Sequence, residues 1–219
     1  MMAEAKDNRE LETENLIIRP SCWEDTELFY LWETKPEVTE FFSIRDDQTK
    51  EEVVRKYIKD DMDPAAEQFT ILLKRDLAGE IESGEATRLE MKADSEASCK
   101  TKDKERFGNA EPIGRIVIAD IEEGWKAELW RIYIADAALR KRGLGKEAMR
   151  AVMAYCFDCL KLERLYLDHY TGNPAAYLYQ SLGFKYEGVL RKNCRKNGVL
   201  YDVHLMSMLR EEYYERRQG

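Results

Sequence analysis

Apolar positions along this chain alternate between short continuous runs and stripes at helical spacing. Leu16 to Arg19 is a short apolar strand closed by Pro20, after which Ser21 can cap a helix carrying Trp23, Leu28, Leu31 and Trp32. Thr34 to Asp47 reads as irregular. Thr49 and Glu52 form a capping box for a helix over Lys50 to Lys59, with Val53, Val54, Tyr57 and Ile58 on its buried side. Phe69 to Leu73 is a second strand, and Ile113 to Ile121, with its run Ile116-Val117-Ile118, predicts a central strand buried on both faces. Glu128 to Ile134 is β-branched and aromatic, hence a strand, and a helix follows with Leu144, Ala148, Val152, Tyr155 and Cys159 along one face. Arg164 to Asp168 predicts another strand and Pro174 to Leu182 another helix. Asn197-Gly198 then marks a two-residue turn between two closing strands.

One stretch breaks this rhythm. Asp76 to Ala110 holds Gly79, Gly84 and Gly108, charges of both signs and few large apolar residues, so it buries little by itself. It reads as a polar insertion between the second and third strands, with a short helix around Ala86 to Ala93. The remaining order of elements is a mixed α/β sheet in a single domain over residues 14–210, with polar tails at 1–13 and 211–219. A length of 219 residues suits one well-cored domain.

Charge and cysteine content narrow the class. The net charge of -8 and a pI of about 5.1 argue against nucleic acid as the main partner and fit an amine-bearing one better. The first ten residues hold no apolar segment, and the longest apolar run is Ala151 to Phe157, so neither a signal peptide nor a membrane span is expected. Five scattered cysteines fit reduced thiols in a cytoplasmic protein. Cys156-x-x-Cys159 lies near a helix end without a second pair, so no metal site is expected from it.

The candidate chemistry centres on Arg140-Lys141-Arg142-Gly143-Leu144-Gly145-Lys146, between the Glu128 to Ile134 strand and its helix. The first turn of a helix has N–H groups without intrahelical partners and carries partial positive charge. Gly143 and Gly145 leave that backbone uncovered while four basic side chains surround it, so a phosphate or pyrophosphate is the natural guest. A solvated basic turn is the alternative. Gly143-x-Gly145-x-x-Ala148 also matches a dinucleotide fingerprint, with Asp168 as its ribose acid, but polar residues 136–142 separate strand from glycines, where that fingerprint wants them adjacent.

Arg140-x-x-Gly143-x-Gly145, Thr171-Gly-Asn-Pro-Ala-Ala176 and Leu178-Tyr-Gln-Ser-Leu-Gly-Phe184 together resemble the GNAT superfamily of acyl-CoA-dependent N-acyltransferases. Ala127-Glu128, Tyr186-Glu-Gly188 and Asn197-Gly198 bring the likeness nearest to spermidine N-acetyltransferases and ribosomal-protein N-terminal acetyltransferases. The resemblance implies a mostly antiparallel seven-stranded sheet flanked by helices, with acetyl-CoA as cosubstrate and no metal. Its pyrophosphate would rest on the amides of Arg140, Lys141, Arg142, Gly143, Leu144, Gly145 and Lys146, and its pantetheine against Ile132, Tyr133 and Ile134, where a backbone N–H can hold the oxyanion. Glu128 is the candidate base, with a surface ion pair as its alternative role, and Tyr179 the candidate acid, with core packing as its alternative. Asn173 would bond the cofactor or cap the next helix. The chain departs from the pattern at Asp136-Ala137, where many members place a proline, and in the insertion.

Between Glu37 and Glu67 ten acidic residues face five basic ones. Glu37, Glu40 and Asp46, with Asp47 beside them, fall where the resembling families border the acceptor groove, and carboxylates there would attract a small cationic amine or a basic peptide N-terminus. Solvated helix ends are the plainer account. A non-catalytic acyl-CoA-binding module is the remaining alternative, and the sequence leaves homo-oligomerisation open.

Overall fold

In a computed structural model, which describes residues 9–74 and 105–218, one sheet organises the chain. Its eight strands are β1 (Leu11–Glu12), β2 (Leu16–Pro20), β3 (Glu67–Leu73), β4 (Glu111–Glu122), β5 (Lys126–Ile134), β6 (Arg164–Tyr170), β7 (Lys185–Lys196) and β8 (Val199–Leu209), in the order β1-β2-β3-β4-β5-β6-β8-β7. Only β5 and β6 pair in parallel. The expected seven strands become eight because the two residues of β1, within the expected polar tail, add to β2 at the edge. Most of the expected insertion, including its helix around Ala86 to Ala93, lies outside the described residues.

Strand alternation divides the protein into two layers around the sheet. On one face Leu16, Ile18, Ile71, Ile116, Ile118, Leu165, Leu167 and Met206 form a large core with α4 (Leu144–Ala154), α5 (Ala175–Leu182) and Tyr213 of α6 (Arg210–Gln218). On the other, Phe29 and Trp32 of α1 (Thr26–Glu33), Val38 of α2 (Pro36–Thr39), and Val53 and Tyr57 of α3 (Lys50–Met62) pack against Tyr133 and Ala135. Each fully buried side chain of this size contributes roughly 1.5–3 kcal/mol of transfer free energy. α6 occupies residues expected to trail as a tail.

Local signals explain most boundaries. Thr49 caps α3 through the Glu52 amide at 3.3 Å, and Glu52 returns a bond to the Thr49 amide at 2.9 Å. Ser21 does not cap α1; its hydroxyl pairs with Thr70 at 2.9 Å, and the Asp25 carboxylate takes the Cys22 amide at 2.9 Å instead. After α4 the chain widens by one residue per turn over Tyr155–Cys159, which shifts the helical phase. Cys156 and Phe157 therefore turn inward, and Cys159, expected on the apolar face, is exposed. Asn197 and Gly198 take φ of 48° and 81°, the left-handed pair that a tight hairpin requires.

A buried ion cluster joins α1 to the central strands. Glu33 accepts from Arg115 of β4 at 2.8 Å, from Arg131 of β5, and from the Tyr133 hydroxyl at 3.1 Å. Burial alone would raise the Glu33 pKa, but Arg131 and Arg115 outweigh it and hold the carboxyl below its ordinary value. Arg115 also bonds Gln68 and lies 4.1 Å from the centre of the Phe29 ring. Removing the carboxylate would leave two buried guanidinium groups without their counter-charge, so Glu33→Ala is expected to cost about 3–5 kcal/mol. Urea denaturation with an unchanged m-value checks it.

Candidate active site

The site begins where β5 and β6 part. They pair only from Lys126 with Arg164 to Glu128 with Tyr166. A bulge at Trp130 follows, since Ile118 faces Leu129 while Val117 faces Arg131. Bulges bend a strand and re-aim its side chains. Here Ala127 and Leu129 point into the large core before the bulge and Ile132 and Ile134 toward it afterwards, while Arg131 and Tyr133 turn to the α1 side. On the β4 side the two strands stay close: a Cβ at Gly114 would lie 2.2 Å from the Tyr133 carbonyl oxygen.

A cleft of about 600 Å³ fills the gap and takes its walls from both faces of the sheet. On the α4 side these are Ile132, Ile134, Arg140, Lys141, Gly145, Met149, Asn173, Leu178 and Tyr179. On the α1 side they are Glu37, Glu40, Phe42, Ser43, Arg131, Tyr133, Asp168, Tyr170 and Cys194. The two halves meet between the parted strands.

The α4 half presents an open helix start ringed by basic residues. Gly143, at φ 86°, turns the chain into α4, and no side chain caps the first turn. A Cβ at Gly143 or Gly145 would meet nothing within 4 Å, so the space above both is open. Arg140 bonds the Ile134 carbonyl at 3.3 Å and Arg142 the Ala138 carbonyl at 3.0 Å, which holds the loop in shape. None of Arg140, Lys141, Arg142 and Lys146 has an ion-pair partner among the described residues. Arg142, Gly143 and Lys146 lie beside the cleft wall rather than in it, and Leu144 buries its side chain in the core, leaving only backbone to offer. Asn173 lies on the cleft wall at the start of α5, where its side-chain oxygen accepts the Ala175 amide at 2.9 Å.

Tyr179 of α5 is 8% exposed and reaches the same cleft. Burial first, and Asp168 second, push its hydroxyl up to about 12, so it stays protonated at neutral pH. Glu128 sits behind the wall, at the last paired rung of β5. Burial, then Asp168 and Asp120, push its carboxyl up to about 7.

The acidic residues between the helices divide into two groups. Glu37 and Glu40 stand exposed on the cleft wall without a partner among the described residues. Asp46 lies off the wall: its carboxylate takes the Asn197 amide at 2.7 Å and Lys196 at 3.5 Å, and Lys196 also reaches the Thr39 carbonyl at 2.7 Å. Asp46 thus ties the tip of the β7–β8 hairpin to the loop after α2, as Asp47 pairs with Arg45 at 3.3 Å.

Sequence reasoning did not assign Asp168, Tyr170, Arg131 and Cys194 to this wall. An acid alternating with tyrosines in Tyr166-Leu-Asp-His-Tyr170 is the one signal that pointed there, because only an aqueous or functional face accommodates it in an inner strand. Nothing local marked Arg131 or Cys194, which the bulge and the long hairpin bring in.

A family model described as "Acetyltransferase (GNAT) domain" matches residues 15–185. The spermidine N(1)-acetyltransferase of Vibrio cholerae is 30% identical over 107 residues, 48% of this chain and 61% of that protein. The Bacillus subtilis protein named probable N-acetyltransferase YjcK is 32% identical over 98 residues, 44% of this chain and 54% of that one. The matched stretches therefore span little more than half the length of these curated relatives. A crystal structure of spermidine N-acetyltransferase from Vibrio cholerae in complex with CoA and spermine superposes with a TM-score of 0.68 at 20% identity, covering 92% of this chain and 99% of that chain. At that identity the likeness is one of fold.

Proposed function

The chain belongs to the GNAT acetyltransferase family, and on that premise we propose that it moves acetyl from acetyl-CoA directly to a primary amine, with a polyamine or another small cationic amine as favoured acceptor. The observation that carries this reading is a cleft that joins a basic loop on one face of the sheet to carboxylates on the other, neither with an ion-pair partner among the described residues. Phosphates are favoured at the open first turn of α4, where Gly145 leaves room and Arg140, Lys141, Arg142 and Lys146 add charge. Among the described residues the edge of β5 beyond Glu128 has no paired neighbour on the β6 side, so an extended pantetheine can lie along Ile132, Tyr133 and Ile134. A cytoplasmic setting, expected from the scattered cysteines, belongs to the same proposal.

The reaction needs two proton transfers. An alkylammonium of pKa about 10.4 is all but fully protonated at neutral pH, so a base must remove a proton before nitrogen can attack. Glu128 is the proposed sink, directly or through water: its raised pKa makes it a far better base than an ordinary carboxylate. As the C–S bond breaks, Tyr179 supplies the proton that leaves with CoA sulfur, and the second proton from nitrogen restores it. Glu37 and Glu40 would draw a cationic acceptor to the opposite mouth.

Two outcomes test the halves separately. Gly145→Asp places a carboxylate where phosphate is expected, and calorimetry should show acetyl-CoA affinity falling about tenfold or more; a folded variant with unchanged affinity would remove the loop from the site. Tyr179→Phe should lower kcat by about 10² to 10⁴ while leaving acetyl-CoA affinity nearly intact. Because Glu128 must be deprotonated to act, kcat/KM for the amine is expected to fall as pH drops below about 7. The acceptor class is decided by a screen of spermidine, spermine, aminoglycosides and peptides with free or blocked N-termini. A preference for peptides with free basic N-termini would make the chain a protein N-terminal acetyltransferase, and binding of acetyl-CoA with no product would make it a binding module.

A further inference from the structure

Glu128 has the basicity that the reaction wants, yet it is not on the cleft wall. Some group must stand between it and the amine. Parallel pairing ends with Glu128 opposite Tyr166, and Asp168 lies two residues further along β6, on the same face as Tyr166 and one step past the point where the strands part. That step carries Asp168 into the cleft. Its carboxylate makes no hydrogen bond or ion pair among the described residues. An inner-strand carboxylate without a protein partner is costly to keep unless a ligand serves as one.

Its surroundings define what that ligand would be. Tyr170, the next residue on this face, is 4% exposed, and its hydroxyl lies beside Ser43 and Cys194 without a well-formed bond to either. Its ring stacks on Tyr201 at 4.9 Å, so it cannot easily swing away. A carboxylate and a phenolic oxygen left unsatisfied side by side ask for a donor with several N–H groups, which an ammonium supplies. Asp168 shares the cleft wall with Tyr179 and Cys194 and lies two residues past the rung that pairs Tyr166 with Glu128, and its charge raises the pKa of all three of Glu128, Tyr179 and Cys194.

We propose that Asp168 is a catalytic residue: it binds the attacking amine as its ammonium, takes the first proton from it, and passes that proton to Glu128. This rests on the acetyltransfer reading. The balance is complete without another reagent. The R–NH₃⁺ group gives one proton to the Asp168 carboxylate, the free amine forms the N–C bond to the thioester carbonyl, the C–S bond breaks, and Tyr179 protonates the departing sulfur while the remaining extra proton on nitrogen returns to Tyr179. The proton on Asp168 moves to Glu128 and from there to solvent. Glu128 is then a positioning and storage group, and Asp168 the one that touches substrate. The groups around Asp168 are Glu128 on β5, Tyr179 on α5, Cys194 on β7, Tyr170 on the same face of its own strand, and His169, which points to the opposite face and acts through its charge. Of these, His169 favours its charged form and burial opposes it, with burial the larger effect, so its pKa is raised.

The test compares wild type, Asp168→Asn, Asp168→Glu and Glu128→Gln with acetyl-CoA and spermidine, or whichever amine the wild type acetylates best, across a pH series. Asp168→Asn should keep acetyl-CoA affinity and lower kcat/KM for the amine by about 10² to 10⁴ at neutral pH. The deficit should shrink by about tenfold per pH unit between roughly pH 7 and pH 9, because solution then supplies the free amine that the variant cannot make. Asp168→Glu should recover part of the activity, and Glu128→Gln should flatten the fall in rate below neutrality while retaining more turnover than Asp168→Asn. A deficit independent of pH would make Asp168 merely structural and overturn the proposal, as would an Asp168→Asn rate within about threefold of wild type, well under what a general base contributes. Failure of the underlying reading looks different: wild type itself would acetylate no amine at any pH.

Discussion

The pairing of β5 with β6 stops at Glu128 and Tyr166, and the site depends on that stop. Two parallel strands in the middle of a sheet ordinarily bond along their whole length, because unpaired backbone in an interior is costly. Here the bulge at Trp130 bends β5 away, and Gly114 lets β4 follow closely enough to keep the other edge paired. The orphaned edge of β5 then faces a cleft instead of a strand. Backbone in want of a partner and an extended ligand in want of a track are complementary.

The same gap separates two electrostatic environments. Arginines and lysines without an ion-pair partner among the described residues surround the first turn of α4, while Glu37, Glu40 and Asp168 line the opposite half. On the α1 side lies the buried cluster in which Arg115 and Arg131 both donate to Glu33. Its role is mechanical as much as electrostatic, since it pins α1, and with it α2 and the loop that follows, which carry Glu37 and Glu40, to the two central strands. The hairpin tip fixes the far side of that loop through Lys196, Asn197 and Asp46. The proposed acetyl donor and cationic acceptor would thereby meet opposite charges on the two sides of one gap.

The parts written in the sequence are those that local chemistry specifies. Thr49 with Glu52, the Asn197-Gly198 turn and the run Ile116 to Ile118 each specify their structure within a few residues. What could not be read depends on contacts across the chain. Asp46 looked like a free carboxylate because Asn197, with Lys196 beside it, is 151 residues away in sequence. Cys159 looked buried because a widened turn shifts the helical phase without any residue that marks it. Asp168 was visible as an acid in a strand, but its place in the cleft follows from where β5 and β6 separate, which no local pattern encodes.

If the parted strands bring donor and acceptor together from opposite faces, both must be bound at once when acetyl moves. Initial rates measured over a grid of acetyl-CoA and amine concentrations test this most directly. Double-reciprocal lines that intersect, with no acetylated protein trapped in the absence of amine, are the result expected of direct transfer. Parallel lines, together with a protein that carries acetyl after exposure to acetyl-CoA alone, would contradict it.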